Sequence, residues 1–176
     1  MTTKEKSFKP GSILVVEDRP HNIELLTVIL SLQGYKVEQA NQGSLAIRSA
    51  MARPPDIILL DISQPEMDSF AVCQQLKADP HTQDIPIIFI SAANETEPKI
   101  KAFESGASDY ITKPFQIEEV IARINNQLQI SRFKIKIKAK NAHLERELLK
   151  RQLAAKKLLS LNQQLGKLAA IDSLTQ

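Results

Sequence analysis

At 176 residues, with 43% hydrophobic and 24% charged side chains, the chain is long enough for one globular domain and an appendage. No apolar run approaches the roughly 18 residues of a membrane span, the first residues carry no signal-peptide core, and the single cysteine, Cys73, excludes an internal disulfide and fits a reducing cytoplasm. The net charge of +3 hides a split: residues 1–125 carry 12 basic and 17 acidic side chains, whereas residues 126–176 carry 11 and 3, so an acidic part precedes a basic tail.

Residues 1–11 read as an N-terminal tail. Ser12-Ile13-Leu14-Val15-Val16 is an apolar run of strand length, ending at Glu17-Asp18. His21 to Gln33 places Ile23, Leu26 and Leu30 on one face and stops at Gly34, the mark of a helix with a C-cap glycine. Tyr35 to Ala40 reads as a short strand and Ser44 to Ala52 as a helix halted by Pro54-Pro55. Asp56 to Leu60 is a third strand, closed by Asp61, and Ser69 to Ala78 a helix ending near Asp79-Pro80. Cys73 lies on that helix beside Ala71, Val72 and Leu76, where a thiol packs as a small hydrophobe.

Ile85 to Ile90 is a fourth strand, with Pro86 tolerated at its start and Ser91 after it. Glu95 to Ser105 reads as a helix followed by Gly106, Ser108 to Thr112 as a fifth strand followed by Lys113, and Gln116 opens a helix carrying Ile117, Val120, Ile121, Ile124 and Leu128. Continuous apolar strands separated by helices predict an α/β fold: a doubly wound five-stranded parallel sheet covered on both faces. Ligands bind beyond the carboxyl ends of such strands. Three carboxylates, a hydroxyl and an ammonium converge there, which suits a metal and phosphoryl site. Taken singly, each has a plainer reading: Asp61 as a turn or cap residue, Glu17-Asp18 as caps of the next helix, and Tyr110 as an edge-strand aromatic.

The joint pattern is more specific. Ile13-Leu14-Val15-Val16-Glu17-Asp18, Ile57-Ile58-Leu59-Leu60-Asp61, Pro65-Glu66-Met67-Asp68, Ile88-Phe89-Ile90-Ser91-Ala92 and Gly106 through Pro114 occur in the order and spacing of one family. Residues 12–129 resemble the receiver domain of two-component response regulators, a CheY-like, flavodoxin-like fold. The resemblance implies that Asp61 accepts a phosphoryl group from a histidine kinase, a phosphotransfer protein or a small donor. It also implies Mg²⁺ as cofactor, bound by Asp18, Asp61 and the Ser63 backbone carbonyl, with Glu17 acting through water. Lys113 pairs with a phosphoryl oxygen as a compact point charge, and Pro114 holds the lysine's peptide in a fixed geometry, cis being the accessible alternative. Ser91 hydrogen-bonds the phosphoryl group once it arrives, and Tyr110 turns into the space this vacates. Ser69 stands where the family often has Gly, so a turn there is altered or capped by Ser69; Ile62 and Ser63, flanking the acceptor, bear on phosphoryl lifetime.

Beyond Gln129 the character changes. There is no Pro from Phe115 to Gln176, and the only Gly is Gly166. Phe133 to Lys138 alternates apolar and basic residues, yet no turn signal separates it from its neighbours, so continued helix is expected. Residues 130–172 therefore form a linker helix. Leu144, Leu148, Ala155, Leu158, Leu165 and Ala169 fall on a heptad a/d frame interrupted by Arg151, with Asn141 and Asn162 at a positions, the pattern of a thin parallel coiled-coil dimer. The alternative is a single amphipathic helix folded back on the domain. Leu168 to Gln176, with Asp172-Ser173-Leu174-Thr175, resembles the lead-in to a diguanylate cyclase (GGDEF) domain; residues 173–176 are its expected start and the chain is expected to be cut before that output.

Three other outputs remain open at this point. One is a DNA-binding domain, suggested by the +8 tail but weakened by charge spread around the helix. Another is a kinase helix with His143 as phosphoacceptor, and the last a stand-alone receiver that works through its coil. The expected partners are a cognate kinase or phosphotransfer protein and a second copy of the chain, through the C-terminal helix and the receiver face, with no membrane and no nucleic acid. The fragment itself is expected to be no enzyme beyond taking phosphate from a donor.

Overall fold

The structure, a computed structural model, describes residues 11–62, 68–92 and 97–175. Five parallel strands, β1 (Ser12–Val16), β2 (Lys36–Ala40), β3 (Ile57–Asp61), β4 (Ile87–Ala92) and β5 (Asp109–Lys113), form one sheet in the order β2-β1-β3-β4-β5. Between them run α1 (Pro20–Leu32), α2 (Gly43–Ala52), α3 (Ser69–Ala78) and α4 (Glu97–Glu104), and α5 (Ile117–Leu174) follows β5. This is the expected flavodoxin-like order, with the strand sequence reversing at β1 and β3.

Each central strand is apolar on both faces because each face has a helical cover. Alternate residues divide accordingly. Ile13, Val15, Ile57, Leu59, Ile88, Ile90 and Ile111 pack with Ile23, Leu26 and Leu30 of α1 and with Val120, Ile124 and Leu128 of α5. Leu14, Val16, Ile58, Leu60, Ile87, Phe89 and Tyr110 pack on the other side with Ala46 and Ala50 of α2, Val72, Cys73 and Leu76 of α3, and Ala102. Each large aliphatic taken fully from water contributes about 1.5–3 kcal/mol before entropy is charged against it. Cys73 is wholly buried with its thiol against the Ser105 carbonyl at 3.4 Å, and burial pushes its pKa up, as a packed rather than reactive thiol requires.

Loop chemistry fixes where the elements stop. Gly34 adopts φ 86° just past α1, which a side chain would resist. β4 begins two residues later than its hydrophobic run because Pro86 has no N–H for the ladder; its carbonyl still accepts from Ile58 N at 3.0 Å. The strand instead continues through Ser91 and Ala92, which pair with Thr112 and Lys113. The Lys113–Pro114 peptide is cis.

The chain divides into two units, Met1–Arg132 and Phe133–Gln176. In the first, α5 is anchored by Val120, Ile124 and Leu128, by Gln127 Nε2 donating to Ser108 O at 3.2 Å, and by Tyr35 donating to Asn125 Oδ1 at 2.6 Å. In the second, the backbone is helical through Leu174, including the Phe133–Lys138 stretch whose alternation taken alone suggests a strand. Apart from half-buried Glu147, its described side chains are exposed, Leu144, Leu148, Leu158 and Leu165 among them. No helix among the described residues is long and apolar enough to cross a membrane.

Candidate functional site

Three strand ends meet in one charged cluster. Glu17 follows β1, its backbone N–H donating to Ala40 O at 3.1 Å, so the carboxylate projects from the carboxyl edge of the sheet. Asp61 ends β3 opposite Ile90 of β4, and Lys113 ends β5 opposite Ala92. Both carboxylates are buried, with side chains about 2% exposed, and one ammonium serves both: Lys113 Nζ donates to Asp61 Oδ2 and, at 3.2 Å, to Glu17 Oε2. Breaking such a buried arrangement by removing one partner is costly, since a charge is then left without compensation.

One cation against two buried carboxylates leaves an excess of negative charge. Burial first, and then the adjoining Asp61, push Glu17 up from 4.5 to about 7, against the opposing pull of the Arg19 N–H and Lys113. The Arg19 N–H donates to Glu17 Oε1 at 3.1 Å, and Asn22 Nδ2 donates to Oε2 at 3.3 Å. The carboxylates of Glu17 and Asp61 are oxygen donors of the kind that could hold a hard cation, and Asp18 is exposed next to Glu17 in the chain. Asp18 lines a groove of about 460 Å³ together with Asn41, Ser44, Asp68 and Gln75.

Among the described residues, no three His, Cys, Asp or Glu side chains close around a single point as a complete ligand set. Ser63, the expected carbonyl ligand, lies outside the described residues, as does the Pro65–Met67 part of the motif.

Ser91 is buried on β4, and its hydroxyl donates to the Ala92 carbonyl at 3.2 Å, long for an O–H···O bond. Tyr110 is buried against the core that holds Phe89, its partner in register on β4. An edge strand covered on this face leaves an aromatic little reason to face water.

The cap of α3 also differs from the sequence reading. Asp68 is the N-cap, its Oδ1 accepting from Phe70 N and Ala71 N, both at 3.1 Å. Ser69 instead turns its hydroxyl to the Asp61 carbonyl oxygen at 2.7 Å, and no non-glycine residue among those described has positive φ. Sequence reasoning missed Asn22 altogether. The available signal was an amide one turn into the helix that follows the Glu17-Asp18 pair.

Comparison with known proteins places this geometry. A family model described as the response regulator receiver domain matches residues 13–125. The chain is 41% identical over 117 residues to the DNA-binding dual master transcriptional regulator RpaA of Synechocystis, covering 66% of this chain and 48% of that protein. It is 38% identical over 140 residues to a probable cyclic di-GMP phosphodiesterase of Vibrio cholerae, covering 80% of this chain and 32% of that one. The chain thus spans about half or less of these relatives. Among solved structures, the receiver domain of the sensor histidine kinase PA1611 from Pseudomonas aeruginosa, described with a magnesium ion coordinated in its active-site cleft, superposes with TM-score 0.64 at 28% identity. It covers 68% of this chain and 98% of that one.

Proposed function

Since the chain belongs to the response regulator receiver domain family, we propose that it is a phosphoacceptor switch in which Asp61 receives a phosphoryl group from a histidine kinase, a phosphotransfer protein or a small donor. The observation that carries this reading is the buried Asp61 carboxylate held by Lys113 beside a second buried acid, Glu17. An Asp61 oxygen forms the bond to phosphorus while the bond from phosphorus to the donor breaks, and the leaving group, the imidazole nitrogen of a histidine donor or the leaving atom of a small donor, keeps the electron pair. Mg²⁺, when bound, would supply positive charge that offsets the anionic acceptor and phosphoryl group. Asp18 and Asp61 would hold it directly, the Ser63 carbonyl would add a third ligand, and Glu17 would act through water. Lys113 moves from a carboxylate oxygen to a phosphoryl oxygen without leaving the site, which a flexible ammonium can do.

Ser91 supplies the switch. Its weak bond to Ala92 is readily exchanged for a charge-assisted bond to phosphoryl oxygen. Tyr110, a buried ring on β5, is the residue proposed to turn into the space that the movement of Ser91 vacates. The C-terminal helix forms a parallel coiled-coil dimer, supported by Leu144, Leu148, Leu158 and Leu165, exposed at a/d spacing. The domain division proposed is residues 12–129 as receiver and 130–172 as linker, in a cytoplasmic protein.

The output joined to this linker is proposed to be a cyclic di-GMP enzyme, a diguanylate cyclase. Asp172-Ser173-Leu174-Thr175 supports the cyclase, and the match to the Vibrio phosphodiesterase over 140 residues supports only a link to cyclic di-GMP, in either direction. A DNA-binding output is the second reading, favoured by the likeness to RpaA.

Beryllofluoride, a phosphoryl mimic, tests the acceptor and the assembly together. Mg²⁺-dependent binding measured by calorimetry should be present in the parent chain and absent in Asp61→Asn; equal binding by both overturns the reading. Sedimentation equilibrium of the same samples then distinguishes a dimer formed on binding from one that pre-exists.

A further inference from the structure

We infer that Ser69 is a positioning residue for Asp61, acting through the main chain and not through the carboxylate. The inference rests on Asp61 being the Mg²⁺-binding acceptor. Ser69 Oγ donates to the Asp61 carbonyl oxygen at 2.7 Å, a short bond between groups eight residues apart. Both residues are about 2% exposed, so water does not readily stand in for the hydroxyl.

The surroundings say why this bond is needed. β3 and β1 pair only as far as Leu60 with Val16, one residue short of Asp61. On the β4 side the next amide, Ile62 N, is taken by Ile90 O at 2.9 Å. The acceptor therefore sits at the last rung of the sheet, opposite Ile90 of β4. Its own carbonyl is held by Ser69, and Ser69 is held by α3, whose first turn Asp68 caps. The helix thus fixes the acceptor peptide, and with it the direction in which the Asp61 side chain leaves the backbone. A carboxylate that must meet Lys113 and a cation at once depends on that direction.

Without the hydroxyl, the buried Asp61 carbonyl loses the bond from Ser69, a loss of about 0.5–1.5 kcal/mol in stability. A bond that merely stabilised the fold would stop there. A positioning bond also weakens Mg²⁺ binding, by about tenfold, the low end for removing a group that orients a metal ligand.

The test compares Ser69→Ala with Thr82→Val. Thr82 makes the same kind of bond, Oγ1 to Leu76 O at 2.7 Å, wholly buried at the far end of α3. Thermal midpoints in chelator and Mg²⁺ dissociation constants by calorimetry are measured for the parent and both variants. The inference expects both variants to melt earlier but only Ser69→Ala to bind Mg²⁺ about tenfold more weakly, at a folded temperature confirmed by circular dichroism. Ser69→Thr, which keeps a hydroxyl, should recover most of that affinity. Ser69→Ala with unchanged affinity, or Thr82→Val weakened equally, overturns it. A parent chain whose Mg²⁺ binding survives Asp61→Asn overturns the underlying reading, and the inference with it.

Discussion

In the absence of Mg²⁺, Glu17 should make the protein less stable as pH rises, and Glu17→Gln should remove that loss. Glu17 is about 2% exposed, shares Lys113 with Asp61, and has its pKa raised from 4.5 to about 7. The sign follows from which state holds the proton more tightly. Between pH 4.5 and 7 the folded state keeps a proton the unfolded state has released, so stability is greatest below 4.5 and falls across this window. At about 1.4 kcal/mol for each pH unit between the two values, the ceiling is roughly 3 kcal/mol. Asp61 takes part of that proton affinity, which brings the expectation to about 1–2 kcal/mol. At roughly 3 °C per kcal/mol for a chain of this size, Glu17→Gln should melt about 3–6 °C higher than the parent at pH 8 and near the parent at pH 4.5. Glutamine keeps one acceptor oxygen for its neighbours and offers Asp61 a donor, so little bonding is lost. The assay is thermal unfolding by circular dichroism in chelator from pH 4.5 to 8. A parent chain as stable as Glu17→Gln at pH 8, or a gap that narrows as pH rises, would refute the argument. Saturating Mg²⁺ should shrink the gap, because the cation relieves the repulsion the variant removes.

Lys113→Met leaves two buried carboxylates with no ammonium and should cost about 2–4 kcal/mol at pH 8, less in Mg²⁺, read by urea unfolding. Phe89→Ala empties a fully buried site between Phe70 and the α2–α3 packing and should cost about 3–5 kcal/mol in the same assay. The pair Leu158→Asp and Leu165→Asp, both exposed on α5, should leave the melting of the receiver unchanged while abolishing the proposed dimer in sedimentation equilibrium.

The fold was legible because its signals are redundant. Five apolar runs, each spaced by a helix-length amphipathic segment, admit few arrangements other than a covered parallel sheet. α3 falls where Ser69 to Ala78 predicts, since Pro80 sets its limit on one side and the polar run before it on the other. The long helix through Phe133–Lys138 was readable for the opposite reason, the absence of any turn residue. What escaped were features set by rotamers and not by patterns. Asn22 reaching back to Glu17, and Ser69 serving the Asp61 carbonyl in place of capping its own helix, depend on how α1 and α3 seat against the sheet edge. β4 was displaced by two residues because an apolar run marks burial, whereas a strand is defined by its ladder.

The proposed switch depends most directly on the chemistry of one carboxylate. Incubating the chain with Mg²⁺ and a small phosphodonor, then locating the added phosphoryl group by peptide mass spectrometry, tests that chemistry. A single phosphoryl group is expected on the peptide containing Asp61, dependent on Mg²⁺ and lost in Asp61→Asn. Phosphoryl uptake that persists in Asp61→Asn, or that falls on the peptide containing His143, would contradict Asp61 as the acceptor.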